Sequence, residues 1–237
     1  MSANYRIAEL CIRMEPQFEP LATRSLPYLS QSEQEADITI ALNDEEFRFF
    51  EKKYPEAERG LIEYMMTGNL FYSALLKRNG LLLHASAVEL DGRAYLFSAP
   101  SGTGKSTHTA LWREHFGNRA RIINDDKPAI RIQKDGIFVY GTPWSGKTDQ
   151  NLNVKAPLCG IAFLERSKTN EIFPCKGTDV IKRLLEQTIR PAERSAVSLL
   201  MDHISTIVEK VPIYRLRCNI SKDAVLTAFE AMNGGNR

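Results

Sequence analysis

The sequence predicts an α/β protein: a core of strands and helices over residues 81–237, preceded by a small amino-terminal α/β layer over residues 1–80. Three observations carry this. Beyond Gly80, β-rich runs alternate with helix-patterned segments, which is how a sheet covered by helices reads in sequence. The segment APSGTGKS (Ala99 to Ser106) stands between one such run, RAYLFS, and a helix pattern, THTALWREHF. Two adjacent carboxylates, Asp125-Asp126, close the next short strand, 20 residues beyond Lys105.

The amino-terminal layer follows element by element. Tyr5–Met14 fits a strand and Asp37–Leu42 another, with the Pro-, Ser- and Gln-rich stretch from Gln17 to Glu35 as loop or short helix. Asn43 or Asp44 caps a helix starting at Glu45, and Pro55 ends that pattern. A longer helix fits Leu61 to Arg78, with Asn79-Gly80 as its stop. These residues carry no recognisable chemistry and read as a packing or substrate-positioning layer.

In the core, Leu81–Glu89 and Arg93–Ser98 flank Asp91-Gly92, a strong two-residue hairpin signal. Thr103–Phe116 is helix-patterned and Ala120–Asn124 a short strand. Ala129–Gln133 and Ile137–Tyr140 form a second hairpin about Lys134-Asp135-Gly136, and Gly141–Asn153 is a polar loop. Leu158–Leu164 reads as a buried strand, Asp179–Ile189 and Glu193–Val208 as helices, and Ile213–Cys218 as the last strand. Ser221 caps a closing helix that runs to Met232.

Composition bounds the function. The chain has 237 residues, 25% charged, with a net charge of +2, too balanced for nucleic acid or an anionic membrane as main partner. Four scattered cysteines, with no C-x-x-C, read as reduced thiols of a cytoplasmic protein. The start MSANYRIAEL lacks the charged and apolar regions of a secretory signal, and no apolar run approaches the ~20 residues of a membrane span. A homo-oligomer is left open.

Two segments compete for a phosphate. GTPWSGKT (Gly141 to Thr148) fits G-x-x-x-x-G-K-[ST] letter for letter, whereas APSGTGKS has Ala99 in place of the first glycine. A phosphate loop needs a helix starting at its end, because backbone N–H groups and the positive helix terminus together hold the anion. Only APSGTGKS is followed by one; GTPWSGKT runs into DQNLNVKAP. A chance Gly-x-Gly-Lys-[Ser/Thr] turns up in about one chain in a hundred of this length. The cradle is therefore expected at Ser101, Gly102, Thr103, Gly104, Lys105, Ser106 and Thr107. Lys105 would reach the β- and γ-phosphates, and Ser106 would help hold Mg²⁺.

At the carboxyl edge of the sheet, Asp125 and Asp126 would divide metal ligation and proton abstraction between them. Hairpin counting from Asp91-Gly92 sets His84 opposite Ala99, at the mouth of the loop. The Gly141–Asn153 loop leaves the same sheet and would offer Trp144 to a base or substrate and Lys147 to a phosphate. Lys147-Thr148-Asp149 bears a faint likeness to a guanine-reading motif, but Gly146 stands where its Asn is needed.

LHASAVELDGRAYLFSAPSGTGKST followed by INDD resembles the carboxy-terminal domain of HPr kinase/phosphorylase and its wider group, whose fold is shared with phosphoenolpyruvate carboxykinase. The resemblance spans roughly residues 80–232. It implies a P-loop kinase core with ATP as phosphoryl donor and Mg²⁺ as cofactor. It also implies Asp125 as the base, Asp126 and Ser106 beside the metal, and His84 in the active site. No segment resembles the phosphoprotein-docking signature of true HPr kinases. The expected activity is phosphoryl transfer to an aliphatic hydroxyl, serine or serine-like, on a small molecule, peptide or protein. The alternatives are a nucleotide-binding regulatory module or a partner-stimulated ATPase.

Overall fold

The computed structural model describes residues 2–234. Its first element is a hairpin, β1 (Ala3–Ile7) and β2 (Leu10–Met14), where the sequence predicts one strand. Ala8 and Glu9 make the turn with φ of 52° and 62°, the geometry that normally selects Asn-Gly. Tertiary contacts override that preference: the Glu9 carboxylate accepts hydrogen bonds from Tyr140 Oη at 2.6 Å and Gln133 Nε2 at 2.7 Å. Helix α1 (Leu21–Ser25) follows, then two short strands, β3 (Leu29–Ser30) and β4 (Ile38–Thr39). They complete a sheet in the order β3-β1-β2-β4. Asn43 starts α2 (Asp44–Lys53) with a full capping box to Glu46. Helix α3 (Arg59–Leu76) ends just before Asn79, which takes the left-handed φ of 57° that terminates helices.

The core begins with β5 (Gly80–Leu82), β6 (Ala85–Leu90) and β7 (Arg93–Ser98). Asp91 and Gly92 form the expected two-residue turn, with Leu90 facing Arg93. The run over Leu81–Glu89 is broken at Leu83-His84, because β5 leaves for β9 while β6 pairs with β7. After α4 (Lys105–Phe116) come β8 (Ala120–Asn124), β9 (Ala129–Gln133) and β10 (Gly136–Tyr140). Strand β11 (Lys155–Arg166) outruns its expected span at both ends. Its start pairs with β10 and its later part lies between β7 and β13. An unforeseen short edge strand, β12 (Glu171–Pro174), precedes α5 (Thr178–Glu186), α6 (Arg194–Lys210), β13 (Ile213–Cys218) and α7 (Lys222–Gly234). Helix α5 stops at Glu186 because the following residues turn into the sheet: Gln187 O accepts the His84 N–H at 2.7 Å, and the Thr188 hydroxyl donates to Leu82 O.

The sheet order is β5-β9-β10-β11-β7-β6-β8, with β13 on β11 and β12 on β13. It is mixed rather than parallel. Strands β7, β11 and β13 run parallel, while β6 is antiparallel to both β7 and β8. Two reversals restore direction, so β7 and β8 end at the same edge. That edge receives Ala99 to Gly104 from one strand and Asp125-Asp126 from the other. One face of the sheet packs Leu96, Phe163, Leu184, Ile204 and Ile207 in one cluster; Phe97, Trp112, Leu216 and Val225 form another. Each such side chain contributes about 1.5–3 kcal/mol by leaving water. Among the described residues, no helix is long and apolar enough to cross a membrane.

Candidate active site

The glycine loop supplies the first wall. Strand β7 ends at Ser98 and α4 begins at Lys105. Gly102 and Gly104 have φ of +78° and +122°, and a Cβ built on either would meet nothing within 4 Å. Glycine is required there for backbone conformation rather than for space. Ala99 is not among the residues with positive φ, so the missing first glycine causes no strain. Lys105 is buried and folds back, its ammonium donating to Ala99 O at 2.9 Å. Burial pushes the Lys105 pKa below its usual range, against the opposing pull of Asp126 and Asp125. The Arg166 guanidinium, from the end of β11, donates to Thr103 O and Gly102 O and so holds the loop from outside.

The second wall is set by Asn124, a fully buried residue at the end of β8. Its Oδ1 accepts the N–H groups of Asp126 at 3.0 Å and Lys127 at 2.7 Å, and its amide donates to Thr142 O. This side-chain turn aims the two carboxylates differently. Asp125 is buried, and both its oxygens accept hydroxyls, from Ser86 at 2.5 Å and Thr148 at 2.6 Å. Asp126 is more open: Oδ1 lies 3.2 Å from His84 Nε2, and Oδ2 3.1 Å from Lys127 Nζ. Burial raises the Asp126 pKa, but the His84 hydrogen bond and the Lys127 charge outweigh it and leave it below the usual carboxylate range. His84 Nδ1 sits 3.0 Å from Gln187 Oε1. Both ring nitrogens thus face side-chain oxygens, which fixes the plane of the ring.

One cavity of about 360 Å³ brings these groups together. It is lined by His84, Ser101, Gly102, Gly104, Lys105, Ser106, Thr107, Asp125 and Asp126, and from the second loop by Gly146, Lys147 and Thr148. Thr103 stands apart. It lines a neighbouring cavity of about 420 Å³ with Leu111, Leu164 and Ile220, on the far side of the same glycines. A larger, open groove of about 810 Å³ follows β8 and α4 and holds none of the expected site residues.

GTPWSGKT therefore shares the site without being the helix-capped loop. Lys147 is at the cavity rim and exposed. Trp144 corrects the expectation that it would face a base or substrate: it is fully buried and stacks on Phe71 with centroids 4.8 Å apart. Its indole N–H donates to Thr67 Oγ1 at 3.2 Å, and its ring presses on Gly68. An indole next to the apolar face of α3 is better buried there than presented to solvent. The groups that hold the carboxylates, Ser86, Asn124, Thr148 and Gln187, were not picked out from sequence. Asn124, directly before the acidic pair, was the one with a readable signal.

Fold and site together define an α/β protein in which a glycine loop, a lysine and a carboxylate pair share one cavity. The family model described as SynChlorMet cassette protein ScmC matches residues 55–224, and the chain belongs to this family. Among solved structures the chain is similar to the Hpr(Ser) kinase/phosphatase from Coxiella burnetii, at 11% identity and a TM-score of 0.37, covering 65% of this chain and 95% of that one. A likeness so distant carries no argument about activity, and the resemblance seen in the motifs is met only in part. No curated protein matches the chain.

Proposed function

We propose that this protein is a kinase that transfers the γ-phosphoryl group of Mg·ATP to an aliphatic hydroxyl. The observation that carries the reading is the facing of two devices in one cavity: open helix N–H groups with Lys105 on one side, and the Asp125-Asp126 pair with His84 on the other. Phosphoryl transfer needs little beyond such positioning and charge neutralisation.

The loop amides and the first turn of α4 bind the phosphates. Lys105 exchanges Ala99 O for a phosphate oxygen. The adjoining apolar cavity beside Leu111, Leu164 and Ile220 takes the nucleoside. Ser106 and the carboxylates offer the hard oxygen donors that suit Mg²⁺. Among the described residues no cluster of three or more His, Cys, Asp or Glu is placed to hold a metal by itself. When bound, Mg²⁺ supplies charge neutralisation at those oxygens.

The contacts favour a division of labour opposite to that implied by the family resemblance. Asp125 has both oxygens committed to hydroxyls and orders the site beside the metal. Asp126, paired with His84 and Lys127 but the more exposed of the two carboxylates, takes the proton of the acceptor hydroxyl, while His84, fixed by Gln187, orients it. The acceptor oxygen forms its bond to the γ-phosphorus as the bond to ADP breaks. Incubation with γ-labelled ATP and fractionated extract, followed by mass spectrometry, tests the reading. A labelled seryl or other alcohol acceptor supports it; phosphohistidine, an acyl phosphate, or label released only as inorganic phosphate refutes it.

A further inference from the structure

The amino-terminal layer reaches the cavity wall through a polar latch on Gly146, and this inference rests on the kinase reading above. Arg24, in the last turn of α1, sends its guanidinium into the second loop. Nη1 donates to Gly146 O at 2.7 Å, and Nε lies 2.6 Å from Asp149 Oδ1. The Arg24 side chain is 11% exposed and that of Asp149 57%. The guanidinium carbon also sits 5.4 Å from the centre of the Tyr64 ring, and Tyr64 Oη accepts the Gly146 N–H at 2.9 Å. Both backbone polar groups of Gly146 are thus held by side chains from the first 80 residues. Gly146 in turn presses on Asp126, and two residues later Thr148 donates to Asp125.

We propose that Arg24 is a positioning residue for phosphoryl transfer. With Tyr64 it fixes the second loop, so that Lys147 and Thr148 stand at set positions over the carboxylates. Packing alone does not call for this arrangement. A largely buried guanidinium costs desolvation that an apolar side chain of similar volume avoids, and here its Nη1 donor and its charge are turned toward the segment that carries Lys147. The amino-terminal layer then completes the active site rather than merely covering the sheet.

The test uses the full chain and Mg·ATP. Amide exchange over residues 145–149 is expected to accelerate about tenfold or more in Arg24→Ala and in Tyr64→Phe, with Arg93–Ser98 unchanged. A double-mutant cycle follows, with Mg·ATP affinity read by calorimetry. If Arg24 acts through Lys147, the double variant loses no more affinity than Lys147→Ala alone, and Arg24→Lys, which keeps the charge beside Asp149, recovers part of the loss. Asp149→Asn breaks the latch from its exposed end and must shift exchange in the same direction, which serves if Arg24→Ala does not fold. Unchanged exchange, multiplicative losses, or a Lys147→Ala protein that binds Mg·ATP as tightly as wild type overturns the proposal. Lys105→Ala separates the two claims. If it too binds normally, the kinase reading fails; if it alone fails to bind, only this inference does.

Discussion

Gly146 and Asp126 touch: a Cβ on Gly146 would stand 2.7 Å from the Asp126 Cβ and 3.0 Å from its Cγ, on a backbone with φ of +73°. The second glycine of GTPWSGKT is thus needed twice, for its conformation and for the room it leaves the carboxylate. Gly146→Ala is expected to cost about 1–3 kcal/mol in strain and overpacking and to displace Asp126, so that phosphoryl transfer falls while Mg·ATP still binds. Gly102→Ala has equal backbone strain but open space around it; it should instead weaken nucleotide binding. Thermal melts and calorimetry on the two variants distinguish these outcomes.

The two carboxylates should fail differently. Asp126→Asn is expected to keep Mg·ATP affinity within a few-fold and to lower transfer by roughly 10²–10⁴, the usual worth of a general base. Asp125→Asn leaves the Ser86 and Thr148 hydroxyls facing a poorer acceptor; hydrogen bonds to charged groups are worth about 1.5–3 kcal/mol, so this variant should melt earlier. Transfer lost with the fold intact in Asp125→Asn, and retained in Asp126→Asn, would exchange the two roles.

Acid should undo the junction at Glu9. The Tyr140 hydroxyl, with Gln133 and Lys155, holds the Glu9 carboxyl down at about 2, against an ordinary 4.5. A depressed folded-state value adds stability above the ordinary value and loses it as pH falls from there toward 2. The stability gap between wild type and Tyr140→Phe should therefore be widest at neutral pH, shrink as pH falls below 4.5 and close only toward about pH 2. Urea midpoints at pH 7, 4 and 3 measure it. A gap that widens on acidification would contradict the assignment. Glu9 is partly exposed, so salt should narrow the gap as well.

Much of the fold was legible because the local signals agree with the tertiary outcome. Asp91-Gly92, the helix after Lys105 and the strand ending at Asn124 lie where the sequence sets them. The failures have physical causes. Ala8-Glu9 turns without a turn-forming residue because Glu9 is captured by Tyr140, some 130 residues away. Trp144 stands in a polar segment, yet its ring is claimed by Phe71 and Gly68 of α3, a partnership that periodicity cannot reveal. The second loop was legible as an active-site segment, and Gly146, Lys147 and Thr148 do line the cavity; its anchorage to Arg24 and Tyr64, more than 80 residues away, was not.

That reading separates two neighbours in the loop. Trp144→Ala removes a fully buried indole and should cost about 3–5 kcal/mol of stability. Lys147→Ala, at an exposed rim, should change stability by no more than about 0.5 kcal/mol while reducing affinity for Mg·ATP. Denaturant unfolding of both checks the contrast, and equal losses would place Lys147 in the packed core.

The central claim is that the loop from Ser101 to Thr107, and not the closer match at Gly141 to Thr148, grips the nucleotide phosphates. Calorimetric titration of Mg·ATP into wild type and Lys105→Ala tests it most directly. Removing an ammonium from charge-assisted contacts worth roughly 1.5–3 kcal/mol should weaken binding about 10- to 100-fold, more than Lys147→Ala does. Undiminished binding in Lys105→Ala, with binding abolished in Lys147→Ala, would contradict the claim and return the phosphate to the second loop.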